Sequence, residues 1–128
     1  MPTSRTVAII GASQDRRKFG NKAVRAYAAK GWTVYPVNPR ASEVEGAPAY
    51  PSIESVPTPL DAIALYVPAT VGVELLTAIA AKQPREFWIN PGAESDELTA
   101  KAKALGLRPI RGCSILSLGV SPGDFPDE

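Results

Sequence analysis

The feature that most constrains the fold of this chain is a repeated alternation between short apolar runs and segments with helical spacing. Thr6–Ile10 is β-branched and apolar and is followed by Gly11, a pattern typical of a strand that is buried on both faces. From Phe19 onward, apolar residues recur at helical spacing until Gly31, which occupies the position where helices commonly end. The chain therefore begins as strand, loop and helix.

The same alternation continues through the rest of the chain. Strands are predicted at Thr6–Ile10, Trp32–Val37, Asp61–Val67, Glu86–Ile89 and Leu107–Ile110. One further helix is predicted over the apolar face that contains Val71 and Ile79. Another is predicted with Ser95 as its N-cap and with Gly106 after its last turn. The pattern is thus one of single strands separated by single helices.

Strands that alternate with helices predict a parallel sheet covered on both faces, because right-handed crossovers carry each helix over the sheet. The fold class is therefore α/β, a Rossmann-like, doubly wound sheet of about five mainly parallel strands with helices on both faces. In such sheets a ligand lies beyond the carboxyl ends of the strands, where the strand order reverses. The expected site thus lies among the loops after the strands, at Ile10, Val37, Val67 and Ile89.

The length of 128 residues fits a single domain over 1–128, and no repeat or linker divides it. Residues 40–60 are rich in proline, serine and glutamate and predict a loop with a short helical turn near Ser52–Val56. Residues from about 119 to 128 predict a loose C-terminal tail.

The charge balance argues against two broad classes of partner. Fourteen basic and thirteen acidic residues give a net charge of +1, so no general attraction to nucleic acid or to an anionic membrane is expected. The most apolar stretch, 62–69, is far shorter than the ~20 residues of a membrane-spanning helix, and the first residues lack the pattern of a secretory signal. Cys113 is the single cysteine, which favours a reducing, cytoplasmic location.

The loop between the first strand and the first helix is the first candidate binding segment. Gly11 and Ala12 are small, so backbone N–H groups can approach a phosphate there. The hydroxyl of Ser13 and the ammonium of Lys18 can bind the same anion. The spacing differs from the dinucleotide-binding fingerprint, since Ser13 occupies the place of its second glycine. The alternative is a tight turn with solvated basic side chains.

The end of the second strand narrows the choice of nucleotide. An NAD site holds the ribose with an acidic residue at this point, but the chain reads YPVNPR at 35–40. Asn38 can hydrogen-bond a ribose or a base, and Arg40 can pair with a phosphate attached to the ribose. NADP and coenzyme A both carry such a phosphate. The alternative is a proline-rich turn with an exposed arginine.

These segments belong to an ordered set. The chain resembles the small CoA-binding domain proteins, related in fold to the N-terminal domain of the succinyl-CoA synthetase α subunit, in VAIIGAS at 7–13, KFGN at 18–21, VYPVNP at 34–39, EG at 45–46, YPS at 50–52, VP at 67–68 and PGAE at 91–94. The resemblance implies that the ADP portion of coenzyme A lies over the strand ends. It implies contacts with Ser13, Lys18, Asn38, Pro39, Val67 and Pro68.

The chain departs from the family at three positions. Arg16 and Arg17 stand where many relatives have a proline and a small residue, and their charge is expected to add to that of Lys18 beside a phosphate. Asn90 stands where a glutamine is common. None of these departures removes a group that the site evidently needs.

Two helix N-termini are expected to differ as anion sites. The helix after Val67 is predicted to have Thr70 as its N-cap and no acid in its first turn, so its free N–H groups can face a phosphate. The helix after Ser95 begins with Asp96 and Glu97, which repel one. The pyrophosphate is therefore expected between the loops after Ile10 and Val67.

The resemblance implies a module that binds coenzyme A or an acyl-CoA as a carrier, a sensor or a partner subunit, without catalytic residues of its own. The chain has no histidine, so it cannot perform the phosphohistidine relay of succinyl-CoA synthetase and has no Ser-His-Asp arrangement or histidine metal site. Cys113 alone is more often a small buried hydrophobe than a nucleophile. An NADP-dependent oxidoreductase that uses Arg40, and an interaction protein with a vestigial nucleotide pocket, are the alternatives; a protein partner or a homo-oligomer is left open.

Overall fold

The computed structural model of the protein describes residues 5–128. Its strands are β1 Thr6–Ile10, β2 Thr33–Val37, β3 Glu43–Val44, β4 Ala47–Pro48, β5 Ala62–Leu65, β6 Glu86–Ile89 and β7 Pro109–Arg111. Its helices are α1 Phe19–Ala29, α2 Ala69–Ala81, α3 Asp96–Ala104 and α4 Ser114–Ser117, with single 3-10 turns at Ile53–Ser55 and Pro122–Asp124. Within residues 5–128, no helix has the length and apolar character needed to cross a bilayer.

The main sheet has five strands in the order β2-β1-β5-β6-β7, and each neighbouring pair is parallel. From β1 the chain adds β2 on one side and then β5, β6 and β7 on the other side, so the strand order reverses between β1 and β5. The predicted α/β fold with a doubly wound parallel sheet is confirmed. Its expected ligand position is the gap at the carboxyl ends of β1 and β5.

The sheet is apolar on both faces because successive side chains of a strand point in opposite directions. In β1, Ala8 and Ile10 pack with the residues of α2 and α3, whereas Val7 and Ile9 pack with those of α1. Each face therefore has its own hydrophobic core, which explains why the strands read as continuous apolar runs.

The loop predicted over residues 40–60 contains a hairpin that was not predicted. Strands β3 and β4 pair antiparallel, and the turn between them places Glu45 at φ 52° and Gly46 at φ 82°. Strands of two residues show no alternation that sequence analysis can detect, which explains the omission. The expected helical turn is present at Ile53–Ser55.

The last strand begins later than the predicted Leu107–Ile110. The N–H of Leu107 donates to the carbonyl oxygen of Ala102 at 3.0 Å, and Gly106 has φ 87°. Leu107 therefore still closes the end of α3, and the apolar residue that suggested a strand start lies buried beneath that helix.

The C-terminal residues are not the loose tail that their composition suggested. Ser121 caps the 3-10 turn Pro122–Asp124, and Phe125 packs against the core on the α1 side of the sheet. The ammonium of Lys22 donates to the carbonyl oxygen of Phe125 at 2.9 Å and to Asp127 Oδ1 at 2.6 Å. These contacts join residues about a hundred positions apart, so local composition could not reveal them.

Candidate functional site

A cavity of about 1070 Å³ opens at the carboxyl ends of the strands, beside the reversal between β1 and β5. Its lining includes every candidate site residue that the sequence indicated, namely Gly11, Ala12, Ser13, Lys18, Asn38, Pro39, Arg40, Val67 and Pro68. These residues come from three separate loops. The fold therefore brings the predicted set together at one place, and their contact with a ligand stays a prediction.

Two glycines allow the first loop to pass closely over the sheet. Gly11 has φ 95°, and a Cβ there would lie 2.8 Å from the backbone carbonyl of Tyr66. A Cβ on Gly20, in the first turn of α1, would lie 2.1 Å from the carbonyl oxygen of Gly11. Only glycine fits at either position without displacing backbone. The N-terminus of α1 is thus held directly against the loop that lines the cavity.

The N-termini of α1 and α2 border the cavity, and no side chain of the described residues caps either of them. Neither helix has an acidic residue in its first turn, so the positive end of each helix dipole, and the first-turn N–H groups that do not donate to the N-cap carbonyl oxygen, can face an anion. In α3, by contrast, Ser95 accepts a hydrogen bond from the N–H of Leu98 at 3.0 Å. The predicted N-cap of α3 is confirmed.

The N-cap predicted for α2 is wrong by two residues. Pro68 is the N-cap, with extended backbone at φ −55° and ψ 148°, and Thr70 lies within the first turn. The carbonyl oxygen of Pro68 accepts the N–H groups of Val71 and Gly72, both at 2.9 Å. The fixed φ of proline suits this entry into the helix, and it leaves the first turn without a hydroxyl cap.

The basic side chains around the cavity fall into two groups. Within residues 5–128, Lys18 and Arg40 line the cavity, are exposed and form no ion pair. Arg17 instead forms a bidentate contact with Asp15 at 3.0 and 2.9 Å, and this contact lowers the pKa of Asp15 to about 2. Arg16 lies 3.3 Å from Glu45. Neither arginine lines the cavity, and each pairs with a carboxylate, whereas the sequence predicts that both add to the charge of Lys18.

Asn38 joins two of the loops that line the cavity. Its Nδ2 donates to the carbonyl oxygen of Ala12 at 2.8 Å, and its Oδ1 accepts the N–H of Arg40 at 2.7 Å. The amide retains one N–H and one acceptor position. Asn38 therefore fixes the first loop against the second, and the remaining N–H and lone pair are what it can offer to a ligand.

The cavity lining also includes residues outside the candidate site set. Phe19 and Val71 are 57% and 43% exposed on the first turns of α1 and α2. Ile53 and the loop 91–93 lie on other parts of the wall. Large apolar side chains left exposed at a cavity rim are typical of a ligand-binding surface. Phe19 belongs to the KFGN motif, and both Phe19 and Val71 lie just after loops that the sequence assigned to the site.

Behind the cavity, Asn90 and Ser114 form a fully buried polar pair. Asn90 Oδ1 accepts the backbone N–H and the hydroxyl of Ser114 at 2.8 and 3.1 Å, and its Nδ2 donates to the carbonyl oxygen of Leu65 at 3.2 Å. The Ser114 hydroxyl also lies 3.0 Å from that of Tyr66, whose pKa is raised by burial. The asparagine that departs from the family pattern therefore connects β5, β6 and α4. Cys113, beside it, is half-buried against the core.

Comparison with known proteins gives one family and two kinds of relative. The family described as "CoA binding domain" matches residues 5–119. The chain is 40% identical over 65 residues to an ADP-forming acetate–CoA ligase I of Archaeoglobus fulgidus, and 42% identical over 67 residues to the α subunit of an ADP-forming acetate–CoA ligase II of Pyrococcus furiosus. These matches cover 51% and 50% of this chain, but only 10% and 14% of the curated relatives.

The structural relatives include chains of similar size. A conserved hypothetical protein of Pyrococcus furiosus aligns with a TM-score of 0.81 and 31% identity over 88% of this chain and 98% of its own. A dinucleotide-forming acetyl-coenzyme A synthetase of Candidatus Korarchaeum cryptofilum aligns with a TM-score of 0.72 and 27% identity over 82% of this chain and 25% of its own. The same fold thus occurs as a small protein and as one part of a larger one.

Proposed function

Because the chain belongs to the CoA binding domain family, we propose that its cavity binds coenzyme A or an acyl-CoA. In this proposal the protein is a binding module without catalysis of its own and serves as a carrier, a sensor or a partner subunit. The relatives named as acetate–CoA ligases favour a role beside acyl-CoA chemistry, although this chain spans about a tenth of their length. A cytoplasmic location is part of the proposal.

This proposal depends on one observation: within residues 5–128, two helix N-termini without a side-chain cap and two cations without an ion pair converge on one cavity. The pyrophosphate is proposed to lie between the first turns of α1 and α2, near Ser13 and Lys18. The adenosine then extends toward Asn38, and its ribose phosphate toward Arg40. The exposed rings and methyl groups of Phe19 and Val71 offer apolar contact to the rest of the ligand.

Calorimetric titration with coenzyme A, dephospho-coenzyme A, NADP and NAD tests this proposal. Coenzyme A is expected to bind and to raise the melting temperature, because a ligand at 100 times its Kd stabilises the native state by about 2.7 kcal/mol. Dephospho-coenzyme A is expected to bind more weakly, since it lacks the phosphate assigned to Arg40. Equal or tighter binding of NADP or NAD would favour the oxidoreductase, and no binding of any of them would favour the vestigial pocket.

A further inference from the structure

Only some residues of the first loop, residues 11–18, form part of the cavity wall. Gly11, Ala12, Ser13 and Lys18 line the cavity, whereas residues 14–17 do not. Gln14 and Arg16 contact residues outside the loop, whereas Asp15 and Arg17 contact each other. Gln14 Nε2 donates to the carbonyl oxygen of Glu43 at 2.9 Å. The conformation of this part of the cavity wall therefore depends on the contacts that the loop makes with residues outside the cavity.

Two polar residues of α1, Asn21 and Arg25, make hydrogen bonds to the first loop. Asn21 is fully buried, and its Nδ2 donates to the carbonyl oxygen of Ser13 and to Glu45 Oε2, both at 2.9 Å. The guanidinium of Arg25 donates through Nε to Asn21 Oδ1 at 2.7 Å and through Nη2 to the carbonyl oxygen of Arg16 at 3.1 Å. Arg25 thus acts on the loop both directly and through Asn21.

The C-terminal strap, residues 121–128, completes the support. Arg25 Nη2 also donates to the carbonyl oxygen of Pro126 at 2.9 Å, and its guanidinium lies 5.9 Å from the centre of the Phe125 ring. Lys22, which is 8% exposed, places its ammonium between the carbonyl oxygen of Phe125 and Asp127. Arg16 of the first loop donates to the carbonyl oxygen of Glu128. The strap therefore covers the polar face of α1 and reaches the loop.

We infer that the C-terminal strap and Arg25 are positioning elements of the binding site, which hold the first loop in the conformation that accepts a phosphate. The inference rests on the proposed function, since it assigns the strap a part in ligand binding. The strap makes no contact with the cavity in the described residues. The strap affects the loop through Arg25, because its planar guanidinium donates hydrogen bonds to a carbonyl oxygen of the loop and to one of the strap at the same time.

Arg25→Gln tests the inference, with Arg111→Gln as the matched control. Arg111 forms an exposed ion pair with Asp96 at the far edge of the sheet. In the ligand-free protein, amide hydrogen exchange at residues 13–18 is expected to speed up in Arg25→Gln and to stay unchanged in Arg111→Gln. The Kd for coenzyme A is expected to rise about tenfold only in Arg25→Gln, because apparent affinity falls with the fraction of binding-competent loop. Arg25→Lys keeps the charge but is expected not to restore affinity.

Asp127→Asn provides a milder variant if Arg25→Gln fails to fold, since the Asp127 side chain is 63% exposed. It weakens the contact with Lys22 and is expected to accelerate exchange in the same loop. Unchanged loop exchange, or faster exchange with an unchanged Kd, would overturn the positioning role while leaving the proposed function intact. If the wild-type protein does not bind coenzyme A, the proposed function fails, and the exchange comparison alone decides whether the strap holds the loop.

Discussion

Lys18 contributes to the site in two ways. It is the N-cap residue of α1, and it is an exposed residue that lines the cavity. Lys18→Ala is expected to weaken coenzyme A binding by roughly tenfold to a hundredfold, since a hydrogen bond to a charged group contributes about 1.5–3 kcal/mol. The free energy of unfolding should change little, because an exposed lysine loses few packing contacts. Calorimetry and urea denaturation measure the two effects.

Lys103→Ala, an exposed lysine on α3 outside the cavity, is the control for that substitution. It is expected to leave both quantities unchanged. If the Kd for coenzyme A is unchanged in Lys18→Ala, then Lys18 is a solvated loop residue and does not bind the phosphate.

The contrast among neighbouring basic residues shows what a single sequence can and cannot reveal at the scale of one side chain. From the sequence, Lys18 is assigned to the phosphate, and Arg16 and Arg17 are expected to add their charge beside it. Arg17 is paired by a residue two positions away, but Arg16 is paired by Glu45, which lies on an unpredicted hairpin. Which cation stays free for a ligand therefore depends on tertiary contacts that spacing does not encode.

At the scale of elements, the first turn of α2 offers the sharpest test of where the phosphate lies. Val71→Asp places a carboxylate on this uncapped first turn, inside the cavity. It is expected to weaken coenzyme A binding by at least tenfold, because like charges about 4 Å apart near a protein surface repel by several kcal/mol. The fold should be retained, since Val71 is 43% exposed and an acid suits a helix N-terminus.

Ala100→Asp is the control for this element, because Ala100 is exposed on α3 and lies outside the cavity. The half-buried Thr99 is less suitable, since its hydroxyl donates to the carbonyl oxygen of Ser95 at 3.0 Å. Equal calorimetric affinities for coenzyme A in Val71→Asp and Ala100→Asp, with both proteins folded, would mean that the phosphate lies elsewhere.

Elements were predictable where one local pattern determines them. β1 and β6 were predicted with their observed bounds because apolar runs buried on both faces end at loop residues. The hairpin of β3 and β4 and the packing of the C-terminal strap were missed, since two-residue strands and aperiodic polar segments carry no period. The four loops after β1, β2, β5 and β6 were identified because the carboxyl ends of parallel strands meet at one edge of the sheet. Ile53, by contrast, lines the wall through a turn whose role is not visible in its sequence.

At the scale of the whole molecule, both faces of the sheet are covered. On the α1 side, Tyr27 lies deep in the core and the partly buried Tyr66 packs against it. Tyr27 is 1% exposed, and burial raises its pKa to about 12. Burial also raises the pKa of Tyr66. A phenol without water loses the solvation that its ionised form requires, so the folded state resists deprotonation that the unfolded chain undergoes near pH 10.

The protein is therefore expected to lose stability as the pH rises above about 10. Below pH 10 both states keep the phenolic protons, and the full stabilisation is present. Between pH 10 and about 12 the unfolded chain releases the Tyr27 proton while the folded protein retains it. The free energy of unfolding then falls by up to about 1.4 kcal/mol per pH unit for this one group.

Tyr27→Phe tests this prediction, because it keeps the ring but removes the ionisable group. Urea denaturation from pH 8 to 11.5 should show a shallower fall in the free energy of unfolding for this variant than for the wild type. Tyr35→Phe, at the half-buried Tyr35, is the control. A fall as steep in Tyr27→Phe as in the wild type would show that Tyr27 does not contribute to alkaline unfolding.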